Sequence, residues 1–316
     1  MRMKHLENDF LSWIVSEGLL PSNLPYFRSR FREFASYCED NNIAVESINV
    51  EVSRGYMTWL AQRPNKQKPG QLLSTSTRAK HYDFLIHLGN FLGERKIISD
   101  PNITKGIRRP VPRQTTIQSF TPEQLQAIFD EIRNVRTTPQ YKERFVMLLY
   151  TLVSTGLRTT EALQLQPINF DHELRRLRVV GKGNKEREVP FSVEFSLMLQ
   201  RYIQKYHIGR TDFIFASRYG RPLSPASVRD ALRRVKKSLG AKHGIDRMRV
   251  SPHTFRHTFA RLWVVKGGNT IALSRIMGHT STNMTDKYVR LWGVDLNQAY
   301  DLCDPCSDIE IPNFDL

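Results

Sequence analysis

The chain has 316 residues, 40% of them hydrophobic, enough for two ordinary cores, and it contains no run near the roughly 20 apolar residues of a membrane span. Its 47 Lys and Arg against 31 Asp and Glu give a net charge of +16, so the surface attracts polyanions and nucleic acid is the first partner to expect. Three cysteines in so long a chain exclude a disulfide framework, and Met1-Arg2-Met3-Lys4 opens no apolar signal segment, so a reducing, cytosolic compartment and no membrane partner are expected.

Helical patterning covers the first hundred residues. From Tyr26 to Cys38, the residues Phe27, Phe31, Phe34 and Cys38 fall at i, i+4, i+7 and i+11, one apolar stripe, while Arg28, Arg30 and Arg32 lie off it. A second helix is predicted over Ser76–Gly93, with Tyr82, Leu85, Ile86, Gly89 and Leu92 on its apolar side and Arg78, Lys80 and His81 at its charged start. Between the two, Arg63-Pro64-Asn65-Lys66-Gln67-Lys68-Pro69-Gly70 is a basic loop that its prolines keep from being helical throughout. Arg63, Lys66, Lys68, Arg78 and Lys80 are therefore candidate phosphate contacts.

The stretch Ile107-Arg108-Arg109-Pro110-Val111-Pro112-Arg113 is basic and punctuated by proline. It marks a linker over 108–119, divides a first domain at 1–107 from a second at 120–302, and adds Arg108 and Arg109 to the candidate DNA contacts. Thr121 followed by Pro122 has the N-cap and first-turn proline of a helix start. Leu177-Arg178-Val179-Val180 and Glu188-Val189-Pro190-Phe191 read as short strands around the glycine-rich turn Gly181-Lys182-Gly183-Asn184-Lys185, a hairpin. Helices resume near Ser192 and over Ser224–Leu239, where Arg229 and Arg233 join the candidate contacts, as do Lys185 and Arg187 at the hairpin. Residues 303–316 carry Asp304, Asp308, Glu310 and Asp315 without Lys or Arg, an acidic tail that DNA would repel. Cys303 and Cys306 within it lack the second pair of a zinc site and are taken as tail residues. The fold class expected is mainly α with a small antiparallel β-sheet (α+β).

Four segments concentrate side chains suited to phosphate chemistry. In Ser154-Thr155-Gly156-Leu157-Arg158-Thr159-Thr160-Glu161, Gly156 breaks a helical pattern and Arg158 follows, placed to grip a phosphate with two N–H groups. Taken alone, Arg158 and Glu161 also read as an ordinary i,i+3 ion pair. Gly181-Lys182-Gly183-Asn184-Lys185-Glu186-Arg187 lacks Walker A spacing, so nucleotide binding is not expected, and Lys182 reads either as a proton donor on a hairpin tip or as solvated turn charge. In Pro252-His253-Thr254-Phe255-Arg256-His257-Thr258-Phe259, a helix puts His253 and Arg256 on one side, a proton shuttle beside a fixed cation, and turns Phe255 and Phe259 to the core. A metal site is not expected there: no carboxylate stands in H-E-x-x-H register, and the two histidines, taken as helical neighbours, would diverge by about 100°. In the fourth segment Tyr288 follows Gly278-His279 after a Ser/Thr/Asn-rich turn that would bend the chain back toward His279; a lone tyrosine there would be structural.

Taken together, Arg158, Lys182, His253, Arg256, His279 and Tyr288 match in order, neighbours and approximate spacing the pattern of the tyrosine recombinases, the phage integrase family. Thr155-Gly156-Leu157-Arg158 with Glu161, Gly181-Lys182-Gly183-Asn184-Lys185-Glu186-Arg187, His253 with Arg256-His257-Thr258-Phe259-Ala260, and Gly278-His279 with Thr285 and Tyr288 resemble the motifs of Xer-type enzymes over about 120–291. Before that, the chain resembles the family's helical core-binding domain in size, helicity and charge. The resemblance implies a prokaryotic, cytoplasmic, DNA-associated enzyme that cuts and rejoins strands through a 3′-phosphotyrosyl intermediate, for integration, excision, transposition or resolution of DNA elements. It implies Tyr288 as nucleophile, Arg158, Arg256 and His279 on the phosphate oxygens, Lys182 as proton donor to the leaving 5′-oxygen, His253 assisting proton transfer at the tyrosine and Glu161 as structural support. It implies double-stranded DNA with paired recombination sites as partner, a homotetramer with a dimer per site, and neither metal nor other cofactor. A type IB topoisomerase shares the nucleophile, but the Xer-like spelling of the motifs favours recombination. A non-catalytic regulator would be expected to have lost at least one of the six polar residues, and all six are present.

Overall fold

A computed structural model of the protein describes residues 3–65, 69–112, 117–181 and 186–278. The chain divides into two compact units, Met1–Thr115 and Thr116–Leu316. The fold is mainly α with one small antiparallel sheet.

The first unit packs α1 (Glu7–Ser16), α2 (Leu24–Asp40), α3 (Val50–Gln62) and α4 (Thr75–Glu94) around an aromatic centre. The Phe10 ring lies 5.3 Å from Phe31, 5.5 Å from Phe91 and 5.7 Å from Phe84, centroid to centroid. The predicted stripe of α2 is the reason: Phe27, Phe31, Phe34 and Cys38 are all buried, each aromatic worth about 1.5–3 kcal/mol of apolar burial. On the outer side, Arg32 holds Glu7 with two hydrogen bonds of 2.8 and 2.9 Å, and Arg28 approaches the same carboxylate at 3.3 Å.

Two expectations about α4 need correction. His81 belongs to the core rather than to the charged start: it is 2% exposed, and its Nδ1 lies 2.9 Å from the Tyr56 hydroxyl. Burial, reinforced by the positive charges of Arg30 and Arg63, lowers its pKa to about 4. Ile86 is 40% exposed, because it lies one step round the helix from the buried line of Leu85, Gly89 and Leu92. Gly89 is required by a close approach: a Cβ there would fall 2.2 Å from the Pro101 carbonyl oxygen.

The second unit begins at α5 (Pro122–Asn134), where Thr121 and Gln124 form a reciprocal capping box behind Pro122. The helix α6 (Pro139–Thr155) ends at Gly156, whose φ of 63° is the left-handed stop that glycine favours. Then come α7 (Thr159–Leu163), β1 (Phe170–Asp171), β2 (Arg176–Val180), β3 (Glu186–Pro190), α8 (Val193–Lys205), α9 (Pro225–Leu239), α10 (Pro252–Val265) and α11 (Thr270–Met277). The sheet order is β1-β2-β3, antiparallel throughout. Leu177 pairs with Val189 and Val179 with Arg187, and alternation along β2 sends Leu177 and Val179 into the core. The strand β1 is absent from the sequence reading, since two residues are too few for an alternation to register. Helix α10 packs on α6, and Thr258 between them accepts a 2.9 Å bond from the Phe120 amide. Among the described residues no helix is long and apolar enough to cross a membrane.

Candidate active site

Arg158 occupies the N-cap position of α7 in extended backbone, directly after the Gly156 turn. Its amide donates to Glu161 Oε2 at 2.8 Å and its guanidinium to Glu161 Oε1 at 2.9 Å, so the i,i+3 ion pair exists. Arg187, on β3, approaches the same carboxylate from the other side with two parallel bonds of 2.9 and 2.8 Å. The Glu161 side chain is 4% exposed. Burial alone would raise its pKa, but the hydrogen bonds and charges of Arg187 and Arg158 outweigh that and hold it below the ordinary carboxylate value.

Three arginines converge on the C-terminal end of α11. Arg187 Nε donates to the Ile276 carbonyl at 2.9 Å, Arg256 to the Met277 carbonyl at 2.5 Å, and Arg158 to the Gly278 carbonyl at 2.8 Å. Arg256, 5% exposed on α10, also donates to the Gly156 carbonyl. The last carbonyls of a helix lack intrahelical donors and carry its negative dipole end, which explains why cations collect there. Gly278 itself turns left-handed at φ 62° and ends α11. The sequence therefore folds so that two widely separated arginines, Arg158 and Arg256, grip adjacent carbonyl groups at the root of the segment leading to His279.

His253 lies one turn before Arg256 on α10 and is solvent-accessible. Partial burial first, then the charges of Arg256, Arg249 and Arg158, lower its pKa, so near neutral pH the ring is uncharged and able to accept a proton. The expected divergence of the two histidines does not hold: His253 and His257 are four residues apart on one helix face, with ring centroids 6.5 Å apart. Burial, with the charges of His253, Arg256 and Arg249, lowers the His257 pKa to about 4. No group of three His, Cys, Asp or Glu side chains suited to a metal ion occurs among the described residues. Beside the arginines opens a cleft of about 990 Å³ whose charged lining is Arg158, Arg178, Arg187 and Arg275 against Glu161 and Glu186, an excess of positive charge that favours an anion.

The candidate DNA contacts are placed unevenly. Arg108, Arg229 and Arg233 are exposed, Arg233 with Asp230 3.1 Å away. Lys80 is exposed, and its carbonyl accepts a 2.8 Å bond from Tyr26. Arg109 is exposed but forms a two-point pair with Asp83 at 2.7 and 2.8 Å. Arg63 pairs with Glu33 and lies over the Trp59 ring, 4.6 Å from its centroid. Arg78 is half-buried, 3.4 Å from Thr75 Oγ1. Arg187 departs most from the expected surface position, with its side chain 13% exposed and held as described above. Lys182, His279, Tyr288, Lys66, Lys68 and Lys185 lie outside the described residues, as do Cys303, Cys306 and the acidic tail. Sequence reasoning missed the anchoring function of Arg187; the one available signal was Gly278, which closes a helical run as a C-terminal glycine does.

The model of the phage integrase family matches residues 118–292. The tyrosine recombinase XerC of Staphylococcus epidermidis is 22% identical over 302 residues, covering 94% of this chain and 96% of that protein. XerD of Listeria innocua is 24% identical over 319 residues, covering 94% and 98%. Among solved structures, the XerH site-specific recombinase in its post-cleavage complex with a palindromic difH substrate superposes with a TM-score of 0.72 at 20% identity, covering 89% of this chain and 80% of that one. The Tn1549 transposon integrase in complex with a circular intermediate DNA gives 0.68 at 18% identity, covering 96% and 99%. These similarities agree with the α-helical architecture and its small sheet.

Proposed function

Because the chain belongs to the phage integrase family and is a site-specific tyrosine recombinase, we propose that Tyr288 is the nucleophile with which it cuts and rejoins DNA. The observation that supports this most is the convergence of Arg158 and Arg256 on the adjacent Gly278 and Met277 carbonyls, ten residues before Tyr288. Two guanidinium groups meeting there fit a phosphate with two non-bridging oxygens.

In the reaction proposed, the Tyr288 oxygen attacks the scissile phosphorus in line with the 5′-oxygen. The O–P bond to tyrosine forms as the P–O5′ bond breaks, leaving a 3′-phosphotyrosyl linkage. A free tyrosine, with a pKa of about 10, is a poor nucleophile, so its proton passes to the neutral His253 ring, while Lys182 protonates the departing 5′-oxygen. Arg158, Arg256 and His279 stabilise charge on the non-bridging oxygens, and Glu161 holds Arg158 in place. Attack by the 5′-hydroxyl of a second strand reverses each bond change and restores the tyrosine, so the phosphodiester bond energy is conserved and no nucleotide is consumed. The partner is double-stranded DNA with paired sites, bound by a dimer at each and a homotetramer in all. Arg108, Arg229 and Arg233 supply backbone contacts.

A duplex nicked close to the cleavage point, on its 3′ side, tests this, because the short fragment carrying the freed 5′-hydroxyl diffuses away and the covalent state is trapped. The wild-type chain gives a protein–DNA adduct, Tyr288→Phe binds without forming one, and addition of a second 5′-hydroxyl strand discharges the adduct into a joined duplex. An adduct of undiminished yield from Tyr288→Phe contradicts the assignment.

A further inference from the structure

We propose that Arg187 is a positioning residue for strand cleavage, holding Arg158 through Glu161 and tying the lysine hairpin to the end of α11. The proposal rests on the reading of Arg158 and Lys182 given above. Three features of Arg187 carry it.

First, the Glu161 carboxylate takes two bonds from Arg158 and two from Arg187, which fills the roughly four lone-pair sites a carboxylate offers. With Arg187 removed, the buried carboxylate keeps half its partners and is free to turn, and the Arg158 guanidinium turns with it. Second, the third Arg187 bond, to the Ile276 carbonyl, fastens β3 to the end of α11. Lys182 precedes Arg187 by five positions in the sequence, so fastening β3 fixes the strand into which the lysine turn leads. Third, the neighbouring backbone makes room for this guanidinium: a Cβ at Gly278 would come within 3.1 Å of Arg187 Cδ, Nε and Cζ. With its side chain 13% exposed and its fork closed on Glu161, Arg187 is built to orient other groups rather than to meet a DNA backbone.

The test uses nicked duplexes selected from a randomised pool by covalent capture on the full-length wild-type chain. Single-turnover cleavage per folded molecule and salt-dependent binding are then measured for wild type, Arg187→Lys, Glu161→Gln and the double variant. Lysine keeps the charge and loses the fork, so Arg187→Lys stays soluble and binds with the wild-type Kd and salt slope. Its cleavage at saturating protein slows by about 100-fold, the scale of a misplaced reacting group. Added to Glu161→Gln, it slows cleavage further by less than it does alone, because the two share one carboxylate while only Arg187 also holds the Ile276 carbonyl. Full-rate cleavage by Arg187→Lys overturns the proposal. So does a salt slope reduced by the equivalent of about one phosphate with cleavage at saturation unchanged, which would make Arg187 a DNA-binding residue. Absence of any adduct from the wild-type chain overturns the reading of Tyr288 together with this proposal, whereas an active wild type with a fully active Arg187→Lys overturns this proposal alone.

Discussion

Arg187 and Glu161 face each other fork to fork, with bonds of 2.9 and 2.8 Å, in a part of the second unit where the carboxylate is 4% exposed. A buried ion pair of this kind costs most when one partner is removed, since the other is left charged without compensation. Glu161→Ala is expected to destabilise the second unit by about 3–5 kcal/mol, read as a lowered urea midpoint of its unfolding transition.

The same pair predicts an acid limb. Because the folded Glu161 pKa lies below its unfolded value, its contribution is fully present above the ordinary carboxylate range and is lost as pH falls through the lowered folded value. Urea unfolding from pH 6 downward should show stability falling through that window, and Glu161→Gln should be less stable at pH 6 with a flatter acid limb.

His81 gives the first unit a window of its own. Its folded pKa of about 4 lies below the ordinary 6.5, so the unfolded chain binds the proton first, and stability present above pH 6.5 declines as pH drops toward 4. The Glu33 carboxylate, 3.5 Å from His81 Nε2, favours the protonated ring and tempers this loss. His81→Gln should remove most of this slope while lowering stability at pH 7, where Tyr56 loses its ring partner.

Gly156 combines a φ of 63° with a neighbour that leaves no space: a Cβ would fall 2.4 Å from Phe259 Cδ1. Gly156→Ala should cost at least the roughly 1–2 kcal/mol of the left-handed backbone. It should also slow cleavage beyond the loss of folded protein, because Arg256 is held by the Gly156 carbonyl.

Arg256→Ala and Arg158→Ala should slow single-turnover cleavage by about 10²–10³, near 2.7–4 kcal/mol each, the scale of removing an oxyanion donor. Arg229→Ala and Arg233→Ala, on the exposed face of α9, should instead weaken binding and make the salt slope shallower by about 0.9 for each phosphate no longer neutralised.

What the sequence revealed depended on the range of the interaction. The α2 stripe, the Thr121-Pro122 start and the hairpin around Gly181 are set by neighbours a few residues away, and each is legible from spacing. The Arg158–Glu161 pair is legible for the same reason. Arg187 reads in sequence as one more basic residue near a turn; its partners Glu161 and Ile276 are 26 and 89 positions distant, and only the packing of β3 on α11 brings them together. His81 escapes the sequence reading because its helix carries arginine and lysine beside it, and nothing local says that Tyr56 waits on the inner side. His253 and His257 are a matter of counting: a separation of four places them on one face.

Peptide mapping of the trapped protein–DNA adduct by mass spectrometry bears most directly on the chemistry as a whole. The account predicts one DNA-linked peptide, containing Tyr288, joined to the 3′-phosphate of the broken strand. A linkage on Tyr202, Tyr206 or any other side chain, or to a 5′-phosphate, would contradict it.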